Sequence, residues 1–288
     1  MQKSSDLQAG RTFLITGATA GIGLVTARTL AEQGDTLAMV GRNPEKGEAL
    51  AARIRAMTGN SQVYYYNSDL SVQAEVRQLA DKFLSQHDRL DVLVNNAGGI
   101  FLRRQLTVDG IEMTIALNHL SYFLLTNLLL DILKASAPAR IINVSSGAHR
   151  NRKMNFDDLQ FKRGFRLFKA YGQSKLANVL FTYELARRLE GTWVTANALH
   201  PGLVSTNIAQ DNGWVFRLLQ PVILRNARTP EEGAATSIYL ATSPEVAEVS
   251  GCYFYDKKAT PSSPASYDED AARQLWEISA QMTGLDPT

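Results

Sequence analysis

The chain has 288 residues, of which 45% are hydrophobic and 20% charged, and a formal net charge of +2. That length and apolar content suffice for one sizeable core, and so small a charge argues against nucleic acid or an anionic membrane as the partner. The single cysteine, Cys252, excludes an intrachain disulfide and makes a reducing compartment the default.

Residues 1–10 form a polar tail without the apolar centre of a signal peptide. Residues 12–16 read as a short buried strand, Gly17-Ala18-Thr19-Ala20-Gly21-Ile22-Gly23 as a glycine turn, and 21–33 as a helix with Val25 and Leu30 inward. Such a unit cradles a dinucleotide. Its glycines let the backbone turn tightly against a pyrophosphate held at the positive helix N-terminus. The bland alternative is an ordinary βα turn, and the spacing is G-x-x-x-G-x-G rather than the commoner G-x-G-x-x-G. Gly17, Thr19, Gly21, Ile22 and Gly23 are the candidate contacts.

Further strands are expected at 36–40, 63–66, 92–94, 140–144, 194–198 and 252–255, and helices at 45–57, 73–86, 111–134, 167–189, 230–241 and 269–282. Near-continuous apolar strands alternating with helices imply an α/β fold. The expectation is a doubly wound, mostly parallel seven-stranded sheet with helices on both faces, a Rossmann fold, with residues 1–288 as a single domain. NAD enzymes of this fold usually end the second strand with an acid that bonds the ribose 2′-hydroxyl. Here Gly41 holds that place and Arg42 and Asn43 follow. A guanidinium suits a 2′-phosphate, and the missing carboxylate removes a repulsion, so NADP(H) is expected over NAD(H). A solvated surface arginine is the bland alternative for Arg42. The longest apolar stretch, 120–133, is interrupted by Asn127 and Asp131 and is too short for a bilayer, so it reads as a buried helix. With no membrane span expected, the expected location is cytoplasmic.

In the helix at 167–189, Tyr171 and Lys175 stand one turn apart on one face. The ammonium is expected to lower the phenol's pKa toward working pH, making Tyr171 a proton donor and acceptor for chemistry on an oxygen. Alone, the spacing more often marks a core-edge aromatic beside a solvated lysine. Residues 207–228, with Trp214, Phe216, Leu218 and Leu219, read as a lid-like insertion, and 256–288 as a C-terminal extension carrying a helix.

Thr16-Gly17-x-x-x-Gly21-Ile22-Gly23, Asn95-Asn96-Ala97-Gly98, Asn118, Ser145-Ser146, Tyr171-x-x-x-Lys175 and Pro201-Gly202 occur in the order of the short-chain dehydrogenases/reductases, and the chain resembles that family over about residues 10–255. Its segments RIINVSSGAHR, YGQSKLANVLFTYELARRL and ALHPGLVSTNI resemble the retinol-dehydrogenase-like branch, which includes the WW-domain-containing oxidoreductase. The resemblance implies roles residue by residue. Asp69, with Leu70 beside it, would bond the adenine amino group, although a helix cap is the simpler reading of Asp69. Asn96 and Ala97 would line the adenosine ribose and brace the sheet. Asn118 would mark a kink holding a water linked to Lys175, and Ser146 would hold the substrate oxygen. Val204 and Thr206 would clamp the nicotinamide carboxamide.

The function implied is an NADP(H)-dependent oxidoreductase that moves a hydride between nicotinamide and a hydrophobic alcohol, aldehyde or ketone, with Tyr171 as general acid and base. Asn118, Ser146, Tyr171 and Lys175 are the candidate catalytic residues. A metal is not expected. Ser146 lacks the G-x-S-x-G elbow of a serine nucleophile, and His87, His119, His149 and His200 form no supporting pattern. His149 reads as a substrate contact or, more commonly, a solvated loop residue. Two alternatives remain: a cofactor-binding sensor or scaffold without turnover, and a reductase of carbon–carbon double bonds like protochlorophyllide reductase. The apolar stretch 122–133 also permits pairing into a homo-oligomer.

Overall fold

The computed structural model describes residues 10–204 and 227–286. Thr206 and positions 207–226 of the lid-like insertion lie outside the described residues, as does the tail 1–9.

The strands are β1 (Thr12–Thr16), β2 (Thr36–Gly41), β3 (Val63–Asn67), β4 (Val92–Asn95), β5 (Ala139–Val144), β6 (Val194–His200), β7 (Tyr253–Tyr255) and β8 (Lys258–Ala259). They form one sheet in the order β3-β2-β1-β4-β5-β6-β7-β8. All pairings are parallel except β7 with β8, which is antiparallel. The seven expected strands are all present; the eighth, two residues long, carries no periodic signal. Residues of the central strands are buried on both sides, which is why they read as continuous apolar runs.

Around the sheet lie α1 (Gly21–Ala31), α2 (Pro44–Thr58), α3 (Gln73–Gln86), α4 (Met113–Ile115), α5 (Ser121–Leu128), α6 (Leu130–Ala135), α7 (Leu167–Arg188), α8 (Pro230–Thr242) and α9 (Glu269–Thr283). Successive side chains of each strand face opposite layers. Leu14, Ala38, Leu93 and Ile141 pack with α3, α5, α7 and α9, while Phe13, Ile15, Leu37 and Met39 pack with α1, α2 and α8. Local chemistry sets several ends. Thr229 and Glu232 form a capping box at α8, and Gly284, at φ 64°, closes α9.

The single helix expected at 111–134 is instead three helices interrupted by a π turn. After α4, residues Ala116–Leu120 widen into π geometry, α5 follows, and Leu129 breaks the run before α6. Asn118 is the physical cause at the π turn. Its amide is fully buried and bonds the Gly99 carbonyl and the Ser174 hydroxyl, both at 3.0 Å, while its Oδ1 accepts the Gly99 N–H at 2.8 Å. Those off-helix partners pull the turn open. The C-terminal helix α9 lies across α5 and α7, with Trp276 edge-on to Phe123 at 4.9 Å and stacked on Phe181 at 5.7 Å.

Candidate active site

The order of strands reverses between β1 and β4, so a crevice opens where their carboxyl ends diverge. The glycine turn lines it. Gly17 and Gly21 hold φ values of 66° and 52°, a region costly for other residues. A Cβ on Gly17 would lie 2.9 Å from Ala97 Cα, and one on Gly23 would lie 2.3 Å from the Gly17 carbonyl. Asn96 closes the turn from the β4 side: its amide donates to the Thr16 carbonyl at 2.9 Å, and the N–H groups of Asn96 and Ala97 reach Thr16 Oγ1 at 2.8 and 3.0 Å. The sequence expectation that Asn96 and Ala97 brace this junction matches the geometry.

The N-terminus of α1 faces this crevice with no side-chain cap from Ala20 and no acid in its first turn. Its first N–H groups therefore suit an external anion, which is the part a pyrophosphate would play. Around the adjacent β2 end, a Cβ on Gly41 would lie 2.7 Å from Thr19 Cγ2, and the Tyr65 hydroxyl donates to the carbonyls of Gly41 and Asn43 at 2.7 and 2.8 Å. Arg42 is exposed at the end of this strand. Asn43, expected to contact the cofactor, caps α2 with its side chain by accepting the Lys46 N–H at 2.8 Å. Asp69 Oδ1 accepts both the N–H and the hydroxyl of Ser71, at 3.0 and 2.8 Å, in a turn one residue ahead of the α3 cap at Val72, and the Leu70 side chain is buried in the core. Ile22 and Val204 meet at Gly233, where an added Cβ would lie 3.1 Å from Ile22 Cγ1 and 2.7 Å from Val204 Cγ2. Val204 also bridges to Arg228, so the chain leaves and returns at one point.

The four candidate catalytic residues converge beyond β5. Ser146 follows the strand end, and its hydroxyl accepts the Ala148 N–H at 3.2 Å. Lys175 is buried, donates to the Val144 carbonyl at 3.0 Å and has Nζ 5.9 Å from the Tyr171 ring centre. A Cβ on Gly98 would lie 3.1 Å from Asn118 Oδ1 and 3.5 Å from Lys175 Nζ, so glycine there leaves room for both polar groups. Asn118 reaches Ser174 on the same helix, tying the π turn to α7.

The electrostatics reverse one expectation. Tyr171 has its pKa raised, not lowered, because burial outweighs the opposing hydrogen bond from Ser146. Lys175 is itself pushed down to about 7 by burial. Desolvation penalises both charged forms, so the lysine lacks the permanent charge needed to draw the proton off the phenol.

One histidine was misjudged from sequence, and a second has a seat the sequence did not suggest. His149 is neither a substrate contact nor a solvated loop residue: it is fully buried, with Nδ1 on the Ser146 carbonyl at 2.7 Å and Nε2 accepting the Ser263 N–H at 3.1 Å. His119, next to Asn118, is also fully buried, with Nε2 2.8 Å from the Ser279 hydroxyl on α9, and burial lowers its pKa to about 4. No local pattern announces either contact, since both partners lie over a hundred residues away.

Among the described residues, no helix is long and apolar enough to cross a membrane and no cluster of His, Cys, Asp or Glu could hold a metal ion. A family model of the short chain dehydrogenases matches residues 11–213. Human retinol dehydrogenase 13 is 45% identical over 96% of this chain and 86% of its own length, and human retinol dehydrogenase 12 is 43% identical over 96% and 87%. A solved structure of an uncharacterised protein from Mycobacterium paratuberculosis is 36% identical, covers 97% of this chain and 96% of its own, and superposes with a TM-score of 0.79. The Pseudomonas aeruginosa RhlG/NADP complex is 30% identical over 85% of this chain and 94% of its own, with a TM-score of 0.69. The crevice, the Tyr171–Lys175 helix and these similarities agree: the chain belongs to the short-chain dehydrogenase/reductase family of oxidoreductases, in its retinol-dehydrogenase-like branch.

Proposed function

We propose that the protein is an NADP(H)-dependent oxidoreductase acting on a hydrophobic alcohol and its aldehyde or ketone. The observation that carries this reading is the convergence of Ser146, Tyr171, Lys175 and Asn118 beside an uncapped α1 N-terminus and a glycine turn without room for side chains. The cofactor supplies the hydride. Gly17, Thr19, Gly21, Ile22 and Gly23 would hold its pyrophosphate, and Asn96 and Ala97 its ribose. Asp69 and Leu70 would flank the adenine. Val204 would hold the nicotinamide end, with Thr206 in the same role as an expectation from sequence.

NADP(H) rather than NAD(H) follows from Gly41 and Arg42. A carboxylate at position 41 would first have to displace the Thr19 methyl, whereas Arg42, which is exposed, follows at the same strand end. During reduction, Tyr171 gives its phenolic proton to the oxygen of the carbonyl as negative charge develops there, and the Ser146 hydroxyl bonds the same oxygen. The Tyr171 pKa, raised by burial, keeps the phenol protonated at neutral pH, so the proton to be given is present before the charge on the substrate oxygen develops. Lys175 would bond the nicotinamide ribose and take up a proton as charge builds beside it. Asn118 would connect Lys175 to solvent through water. A hydrophobic substrate is supported by Phe168, 70% exposed one turn before Tyr171, by Leu203, 57% exposed beside Val204, and by the relatives' names. A cytoplasmic location and a homo-oligomer stand as expectations of the same reading, although the apolar stretch 122–133 expected to pair is covered within the chain by α9.

Initial rates with NADPH and NADH on a panel of hydrophobic aldehydes and ketones test it. NADPH should be preferred, and Arg42→Ala should cost roughly tenfold to a hundredfold in kcat/KM for NADPH with little change for NADH, the usual worth of a charged hydrogen bond. Equal use of both cofactors by the unaltered protein would overturn the assignment. Binding of NADPH without any carbonyl turnover would favour the sensor or double-bond-reductase readings.

A further inference from the structure

We propose that His149 is a positioning residue for Ser146, through which the C-terminal extension sets the place of the serine hydroxyl; this rests on the role given to Ser146 above. His149 ends the one-turn 3₁₀ segment Gly147–His149 that begins immediately after Ser146. Its Nε2 receives the backbone N–H of Ser263 at 3.1 Å, so that nitrogen carries a lone pair and no proton. The proton is therefore on Nδ1, which donates to the Ser146 carbonyl at 2.7 Å. A backbone amide can only donate, so no other tautomer satisfies both ends. The His149 N–H also reaches the Ser146 carbonyl, at 3.2 Å. The ring packs against Tyr253 with centroids 4.9 Å apart, which leaves it little freedom to rotate.

These bonds hold Ser146 at both ends. Its carbonyl is clamped by His149, and its Oγ accepts the Ala148 N–H at 3.2 Å, which leaves the hydroxyl hydrogen to donate to a different group, the substrate oxygen in this reading. Ser263 is a firm anchor because its neighbours are fixed independently. Arg150 donates to the Pro261 carbonyl at 2.8 Å, and the hydroxyls of Tyr183 and Ser262 are bonded at 2.7 Å. Neither of those contacts touches Ser146. Losing the Nδ1 donor should let the serine shift, and misplacement of a reacting group by about 1 Å can cost on the order of a hundredfold in rate.

Two substitutions separate positioning from plain stability. His149→Asn places an amide donor near the Nδ1 position but cannot reach Ser263, and His149→Gln reaches toward Ser263 but leaves the Ser146 carbonyl with only the backbone N–H of residue 149. With NADPH and a hydrophobic aldehyde, His149→Gln should lose about tenfold or more in kcat, with NADPH affinity changed less than about twofold. His149→Asn should keep most of kcat although its Tm falls at least as far. Thr283→Ala, which removes a buried hydroxyl at the far end of the same extension, should lower Tm and leave kcat unchanged. If kcat follows Tm across the three variants, or His149→Gln turns over at the unaltered rate, the positioning role is overturned. Ser146→Ala distinguishes the two layers: a slow Ser146→Ala beside a fast His149→Gln sinks positioning alone, whereas an unaltered Ser146→Ala rate sinks the reading of the site beneath it. Nitrogen NMR of histidine-labelled protein tests the same point without any variant. His149 should be in the Nδ1–H form, and an Nε2–H form would overturn the proposal.

Discussion

A lysine enclosed by Tyr122, Tyr171 and the Val144 carbonyl can be charged only against the cost of leaving water. Its pKa of about 7 in the folded chain, against 10.5 when solvated, means that the unfolded chain binds more protons between those values. Stability contributed at this position therefore rises as pH climbs through that window, and the penalty is complete below pH 7. Lys175→Met should accordingly raise Tm by roughly 5 °C at acidic pH, with the gain fading toward alkaline pH, while abolishing turnover. Thermal melts across pH check this; a variant less stable than the parent at acidic pH would contradict it. Tyr171 gives a second pH expectation. With its pKa raised by burial, carbonyl reduction should stay level across neutrality while alcohol oxidation keeps rising through the alkaline range. An oxidation rate that levels off near neutral pH would show that the phenol is acidified after all. Spacing in the sequence placed Tyr171 and Lys175 on one face, because helical periodicity is local. It could not give the direction of their shifts, because burial comes from elements distant in the chain.

At the scale of elements, two features exceed what periodicity can express. The π turn at Ala116–Leu120 was foreshadowed only by an asparagine inside an apolar helix; its partners Gly99 and Ser174 belong to other segments. The C-terminal helix α9 was legible as a helix, but its seat was not. Trp276 fills the space between Phe123 and Phe181 with the Arg188 guanidinium 4.2 Å over its ring, so α9 covers the α5 and α7 faces. Trp276→Ala should cost about 3–5 kcal/mol, the range for truncating a buried aromatic. The uncovered apolar face should also promote self-association. Denaturant unfolding and sedimentation check both effects; a fully stable, unchanged variant would show that α9 is an accessory.

Across the whole molecule, the sheet was readable because its central strands are buried on both faces and helices separate the strands from β1 to β7, so the chain order carries the topology. The switch between β1 and β4 then puts the glycine turn, Asn96 and Ser146 at the same edge without any of them being close in sequence. Expectations made from local pattern survived where the answer was local: the glycines, the Tyr171–Lys175 turn, the strand ends. The reading of His149, which depended on which distant segment covers the residue, went astray: its cover comes from Ser263. The central claim is that this edge performs proton-coupled hydride transfer with Tyr171 as the acid. Comparing the unaltered protein with Tyr171→Phe, by loss of NADPH absorbance on a hydrophobic aldehyde alongside NADPH binding, tests it most directly. The account expects turnover to fall by at least about a thousandfold, within the span attributed to general acid catalysis, with cofactor affinity held within about twofold. A Tyr171→Phe protein that reduces the aldehyde at a near-normal rate would contradict it.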